Sequence, residues 1–161
     1  MAKKLGKTET WIVIAFIVLF LFFAAKESEA LEFEGGIPYI STQNTDSFMV
    51  MLSEREGKWV FGGGYFDDVQ VNVCPRPDCE FNIEPNIFFQ VSRVVNYKNW
   101  EMGLGPAYFQ NTSLAVGTNL NWNLSIGYGR DRWAIRLRHW SNAGSGSPNH
   151  GYNVVTLGYK F

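Results

Sequence analysis

Hydrophobic and polar positions alternate with a period of two along most of the chain after residue 30. The clearest run lies between Leu114 and Tyr128, where even positions are mostly apolar or aromatic and odd positions are small or polar. Successive side chains of a β-strand point to opposite faces of the sheet. This run therefore predicts a strand with one apolar face and one small, polar face.

Comparable alternation recurs elsewhere and predicts an all-β fold. Seven or eight of these segments are expected to be strands, each about ten residues long as in a membrane-spanning barrel. The segments other than 114–128 are 31–40 (weakly patterned), 47–54, 58–66, 68–73, 87–96, 100–109, 132–141 and 152–161.

The last two segments, joined by the loop 142–151, carry polar residues in an unusual place. Trp133, Ile135 and Leu137 define an apolar face on the first segment, and His139 and Ser141 continue that same face. Asn153 holds the corresponding position on the second. A serine beside a histidine is the pattern of an activated nucleophile, because the hydroxyl needs a neighbouring base. This is the chain's strongest functional signal.

Residues 1–30 predict an export signal. Lys3, Lys4 and Lys7 precede the apolar run 11–25, and small residues at 28 and 30 fit a cleavage site after Ala30. An uncleaved helical anchor is the alternative, although the run is shorter than the roughly 20 residues that a spanning helix needs. No cysteine follows the run, so a lipoprotein site is excluded. We expect residues 31–161 to form the mature domain.

Export and alternation together favour an eight-stranded antiparallel transmembrane β-barrel of the outer membrane of a Gram-negative bacterium. Such barrels have apolar exteriors, both termini in the periplasm and their longer loops outside. Arg136 and Arg138 would then point into a filled interior, paired with acids such as Glu101. The loop 142–151 would lie outside, and the polar residues flanking it would face the lipopolysaccharide leaflet. A soluble periplasmic β-sandwich stays open as a further class.

Composition narrows the function. The net charge of −1 indicates no nucleic-acid partner, and charged residues make up only 18% of the chain, below the usual share of about 25%. The two cysteines, Cys74 and Cys79, are expected to form a small surface disulfide in an exported protein. Two cysteines alone do not make a metal site.

A short motif identifies a resemblance. Arg138-His139-Trp140-Ser141-Asn142-Ala143-Gly144, followed by Pro148-Asn149-His150-Gly151, is similar to the signature of the outer-membrane lipid A 3-O-deacylases. Their pattern is His-x-Ser-Asn-Ala, then Pro-Asn-x-Gly and a short last strand. The match covers the last 25 or so residues closely, and residues 101–109 more loosely.

The resemblance implies a lipid-facing Ser-His-Glu triad, no cofactor or metal, and the ester-linked acyl chain at the 3-position of lipid A as substrate. Ser141 would be the nucleophile and His139 the general base, with Asn142 and Gly144 stabilising the oxyanion and Asn149 shaping the loop. The family's glutamate falls at Asn153, which departs from the pattern. An asparagine can still hold a histidine, as in Cys-His-Asn proteases.

Two functions follow. The first is an outer-membrane esterase that acts on lipid A, with lipopolysaccharide as its partner and a homodimer left open. The alternative is a catalytically silent barrel of the same fold that acts as a surface binding or exclusion protein, which the asparagine at position 153 favours.

Overall fold

A computed structural model describes residues 31–40, 43–44, 47–72, 80–113, 115–144 and 151–161. Every regular element in these ranges is a β-strand. The strands are β1 (Leu31–Ile40), β2 (Gln43–Asn44), β3 (Met49–Glu56), β4 (Trp59–Phe66), β5 (Val69–Asn72), β6 (Glu80–Ile83), β7 (Asn86–Tyr97), β8 (Trp100–Phe109), β9 (Leu120–Arg130), β10 (Trp133–Ser141) and β11 (Tyr152–Lys160). The described residues include no helix long and apolar enough to cross a membrane.

Eight long strands close into an antiparallel barrel, which confirms the predicted fold class. Sheet order is β11-β10-β9-β8-β7-β4-β3-β1, and β1 pairs with β11 to close it. In that closing pair Glu34 lies opposite Gly158 and Tyr39 opposite Asn153. The short β2 pairs antiparallel with the end of β1, and β5 and β6 form a separate two-stranded sheet. Closure pairs the edges that an open sheet would expose to lipid.

The two ends of the barrel differ in their connections. One, the turn end, carries the tight turns at 57–58, 98–99 and 131–132. The other, the loop end, carries the longer connections 41–48, 67–85, 110–119 and 142–151. In bacterial barrels the short turns face the periplasm and the long loops face outward.

The exterior has the surface of a barrel in lipid. Exposed aliphatic side chains fill its middle, among them Leu104, Leu124, Ile126, Ile135, Leu137, Val155 and Leu157. Aromatic side chains band the turn end, among them Trp59, Tyr97, Trp100, Tyr128 and Trp133, and Phe89, Tyr108 and Trp122 lie towards the loop end. An apolar band between aromatic girdles is the pattern of a membrane-spanning barrel.

The interior is packed in two layers. At the loop end Phe66, Phe88, Phe109, Trp140 and Tyr152 form an interior aromatic cluster, in which the rings of Phe66 and Tyr152 stack with centroids 4.3 Å apart. Towards the turn end lies an interior ion network of three glutamates and two arginines: Glu32, Glu34, Glu101, Arg136 and Arg138. Small barrels are filled by side chains in this way rather than hollow.

The predicted pairing of the interior arginines is confirmed. Arg136 binds Glu101 and Glu32, and Arg138 binds Glu34 through its Nε at 2.8 Å. Charges buried in a barrel need such partners because an unpaired one carries a large desolvation cost.

Two predicted strands differ from the structure. Segment 68–73 gives β5, which pairs with β6 outside the barrel. Segment 114–128 is a strand only from Leu120, because Ala115 and Val116 belong to a loop whose side chains pack into the core. The signal peptide 1–30, the disulfide between Cys74 and Cys79, and Asn149 all lie outside the described residues.

Candidate active site

His139 and Asn153 form a cross-strand pair on the outer surface of the barrel. They lie directly opposite each other in β10 and β11, and His139 Nδ1 is 2.8 Å from Asn153 Oδ1. Their neighbours Arg138, Trp140 and Val154 are buried, so both side chains point outward. The predicted lipid-facing position near the loop end is therefore where the structure places them.

This hydrogen bond fixes the protonation pattern of the imidazole. An amide oxygen can only accept, so Nδ1 carries the hydrogen and donates it. In the neutral ring Nε2 then keeps its lone pair. A histidine held in this tautomer is prepared to remove a proton at Nε2, as in enzymes whose histidine is oriented by aspartate or asparagine.

Gly151 has no side chain, and the imidazole of His139 occupies the space that a Cβ there would need. A Cβ on this residue would lie 2.6 Å from His139 Cε1 and 3.0 Å from the carbonyl oxygen of Trp140. Its φ of +70° also lies in the left-handed region that favours glycine. The ring thus extends from Asn153 towards Gly151, the residue before Tyr152, whose partner in the register is Trp140.

Ser141 shares the outer face with His139, two residues further along β10. Within the described part of the chain, no hydrogen bond joins its hydroxyl to His139. Side chains two apart on a strand stand side by side rather than in contact. Catalytic hydrogen bonds are often long in the absence of substrate and tighten in the complex. The structure therefore places Ser141 and His139 on one surface and joins His139 to Asn153 by a hydrogen bond.

The candidate oxyanion residues form the start of the loop. The backbone N–H of Gly144 donates to Asn142 Oδ1 at 3.0 Å, and the Asn142 side chain is buried. Ala143 and Gly144 both have positive φ, at 52° and 83°. This bond shapes the turn after Ser141 and occupies the Gly144 amide. No cluster of three or more metal-ligating side chains is found among the described residues.

Glu34 joins three strands directly behind the site. Its carboxylate accepts from Arg138 Nε in β10 and from Thr156 Oγ1 in β11, both at 2.8 Å. Arg138 precedes His139, and Thr156 lies one interior position from Val154. The clamp therefore fixes β10 against β11 where the histidine and the asparagine meet.

Sequence reasoning missed Glu34 and Gly151 as residues that support the site. The alternation of Leu31, Glu32, Phe33 and Glu34 marked two acids on one face of β1. In the sequence alone, Gly151 is only the last residue of the Pro-Asn-x-Gly motif. Its contact with the imidazole depends on the register of β10 and β11, which the sequence pattern does not give.

Comparison with known proteins identifies the family of the chain. The model of the family described as lipid A 3-O-deacylase (PagL) matches residues 41–161, which are 121 of the 161 residues. The chain belongs to the lipid A 3-O-deacylase family. The resemblance predicted from the His-x-Ser-Asn-Ala motif is thus confirmed.

Two known proteins are similar to this chain. The lipid A deacylase PagL of Bordetella bronchiseptica is 30% identical over 92 residues, which covers 48% of this chain and 52% of that protein. The chain thus matches about half the length of this curated relative. The crystal structure of the outer membrane enzyme PagL superposes with a TM-score of 0.51 and 19% identity, covering 81% of this chain and 97% of that one. This structural similarity supports the barrel fold.

Proposed function

We propose that this protein is an outer-membrane esterase that hydrolyses the 3-O-linked acyl chain of lipid A, with Ser141 as nucleophile and His139 as general base. The observation that carries the proposal is the hydrogen bond of 2.8 Å from His139 Nδ1 to Asn153 on the lipid-facing surface. Polar side chains that face lipid are costly, and an ionisable residue within a membrane usually marks a functional site. A base at the loop end would lie at the depth of the lipid headgroups.

The acylation half of the reaction uses the lone pair on His139 Nε2. Ser141 Oγ attacks the ester carbonyl while Nε2 takes its proton, and a tetrahedral oxyanion forms. Collapse breaks the bond to the sugar oxygen, which receives the proton from Nε2 and leaves as a hydroxyl. The product is an acyl-Ser141 ester.

Deacylation repeats the proton transfers with water. Nε2 takes a proton from the water that attacks the acyl-Ser141 carbonyl. The second tetrahedral intermediate then expels Ser141 Oγ, which regains its proton, and the fatty acid is released. Backbone amides at Asn142 and Gly144 are proposed to stabilise the oxyanion. For Gly144 this requires its bond to Asn142 Oδ1 to open.

Two further features belong to the proposal. Residues 1–30 act as a cleaved export signal, and the disulfide between Cys74 and Cys79 forms after export. Export allows the barrel to reach the outer membrane, where its long loops would face the outer leaflet that holds lipopolysaccharide.

Purified protein in detergent micelles tests the proposal with 3-O-acylated lipid A as substrate. Chromatography of the released hydroxy fatty acid follows the reaction. Wild type and a Ser53→Ala control, which removes a buried interior hydroxyl, are expected to release it, whereas Ser141→Ala and His139→Ala are not. Equal release by wild type and Ser141→Ala would contradict the proposed nucleophile.

A second candidate is a catalytically silent barrel that binds or masks lipopolysaccharide. The observation that favours it is the neutral amide at Asn153, which supplies no charge to stabilise an imidazolium. Absence of fatty acid release by folded wild type, with retained binding to lipid A, would support this candidate.

A further inference from the structure

Trp122 stands beside the candidate nucleophile. It lies directly opposite Ser141 in the pairing of β9 with β10. Its sequence neighbours Asn121 and Asn123 are fully buried, whereas Trp122 is 49% exposed, so its indole lies on the outer face with Ser141. Directly opposed side chains on one face have Cβ atoms about 4.5–5.5 Å apart. The indole is therefore within reach of anything bound at the serine.

The surroundings of Ser141 are asymmetric. On the β11 side Gly151, the residue before Tyr152, has no side chain, and the His139 imidazole occupies the space that its Cβ would need. On the β9 side stands the largest of the natural side chains. Ser141 thus lies in a slot between the imidazole and the indole. From the slot towards the turn end of the barrel, the surface is aliphatic. Leu124 lies opposite His139, and Leu137 lies opposite Ile126 and Val155.

The chemistry of an indole suits this position. Trp122 lies towards the loop end of the barrel, where aromatic rings meet the boundary between headgroups and acyl chains. A tryptophan offers a broad apolar ring and one N–H donor. Among the described residues no hydrogen bond uses Trp122 Nε1. Its ring can therefore contact the first carbons of an acyl chain, and its donor remains available.

We infer that Trp122 is a specificity-determining residue that packs against the acyl carbons next to the scissile ester, and that the chain then runs along the aliphatic surface of β9, β10 and β11. This inference rests on the proposed function, because it places the ester carbonyl at Ser141. The indole forms one wall of the slot and the imidazole forms the other. Removal of the wall weakens substrate binding without touching the groups that transfer protons.

Kinetics of Trp122→Ala and Trp122→Phe in micelles with 3-O-acylated lipid A test the inference. Trp122→Ala is expected to raise KM roughly tenfold, which corresponds to about 1.4 kcal/mol, and to change kcat by less than about threefold. Trp122→Phe keeps an apolar ring and is expected to stay within about threefold of wild type in KM. Trp133→Ala is the control, since Trp133 is similarly exposed on β10 but lies at the turn end.

Direct binding separates this inference from the proposed reaction. Ser141→Ala protein, with and without Trp122→Ala, is titrated with 3-O-acylated lipid A in micelles. A Kd about tenfold higher for the double variant supports the contact between Trp122 and the acyl chain, even if wild type is inactive. Inactive wild type would contradict only the esterase proposal. Equal Kd values, or the same loss in Ser141→Ala/Trp133→Ala, would overturn the role of Trp122.

Discussion

At the scale of the residue, the proposed reaction depends on a neutral amide, Asn153, in the role that a carboxylate has in serine proteases. Asn153 Oδ1 fixes the tautomer of His139 through one hydrogen bond of 2.8 Å. The amide orients the imidazole but carries no charge. Orientation and charge, which a carboxylate combines, can thus be separated by substitution at this position.

Asn153→Asp keeps the shape of the side chain and adds the charge. We expect kcat to rise roughly fivefold to tenfold, because a charged acceptor adds about 1 kcal/mol to a hydrogen bond with the developing imidazolium. Asn153→Leu cannot accept and is expected to lower kcat roughly 100-fold. Fatty acid release in micelles measures both.

The matched control is Asn99→Asp, which makes the same charge change in the turn between β7 and β8, where Asn99 donates to the Tyr128 hydroxyl. It is expected to leave kcat unchanged. An Asn153→Leu variant as active as wild type would contradict an orienting role for Asn153.

Gly151 gives a second prediction at this scale. Gly151→Ala places a Cβ 2.6 Å from His139 Cε1 and is expected to lower kcat roughly 100-fold, the cost of misplacing a catalytic group by about 1 Å. Gly57→Ala is the control, since Gly57 has a similar φ of +58° with nothing within 4 Å of its Cβ. Equal activities of the two folded variants would refute the steric argument.

At the scale of the element, the site depends on how β10 is held between its neighbours. Glu34 of β1 binds Arg138 of β10 and Thr156 of β11, and it is fully buried. Arg136 approaches the same carboxylate at 3.3 Å. One side chain therefore connects the strands that carry His139 and Asn153.

Glu34→Gln is expected to lower the free energy of unfolding by about 3–5 kcal/mol, because it leaves buried arginine charge uncompensated. The double variant Glu34→Leu/Arg138→Met, which removes both partners, is expected to lose less. Urea titration in lipid vesicles, followed by tryptophan fluorescence, gives the values. A double variant less stable than Glu34→Gln would contradict the assigned partnership.

The elements also mark what the sequence can predict. Alternation located β8 at residues 100–109 because both faces of that strand are well marked. Alternation predicts a strand that begins at residue 114, whereas β9 begins at Leu120. The prediction is too long because the buried loop residues Ala115 and Val116 continue the alternation of small and apolar positions. The partners Glu32 and Glu34 were not predicted, since their contacts with Arg136 and Arg138 cross the closing pair of β1 and β11. That register is set by closure of the barrel rather than by any local pattern.

At the scale of the whole molecule, the fold reverses the arrangement of a soluble domain, in which apolar side chains face the interior and polar side chains face the solvent. The aliphatic belt and its aromatic girdles face lipid, while charges and asparagines face the interior. The proposed reaction needs this inversion, because only an outward serine could meet a lipid A ester within the membrane. The motif predicted the candidate residues, and the barrel carries Ser141, His139 and Asn153 on its outer wall.

The lipid-facing belt makes a prediction that separates a membrane barrel from a soluble sandwich. Leu104→Arg, in the middle of β8, is expected to lower the free energy of unfolding in vesicles by about 2–4 kcal/mol. Tyr97→Arg, in the girdle at the turn end, is expected to cost about 0–1 kcal/mol because its charge reaches the interface. Equal effects of the two substitutions would contradict the proposed position of the belt in the bilayer.

Mass spectrometry of lipid A from Gram-negative cells that express this chain tests the central claim most directly. Cells that express Ser141→Ala at the same level in the outer membrane provide the comparison. The account predicts that lipid A loses one hydroxyacyl unit from a 3-position in the wild-type cells only. Identical lipid A in both cultures, with the folded barrel in the outer membrane of each, would contradict the esterase and leave the silent barrel as the better explanation.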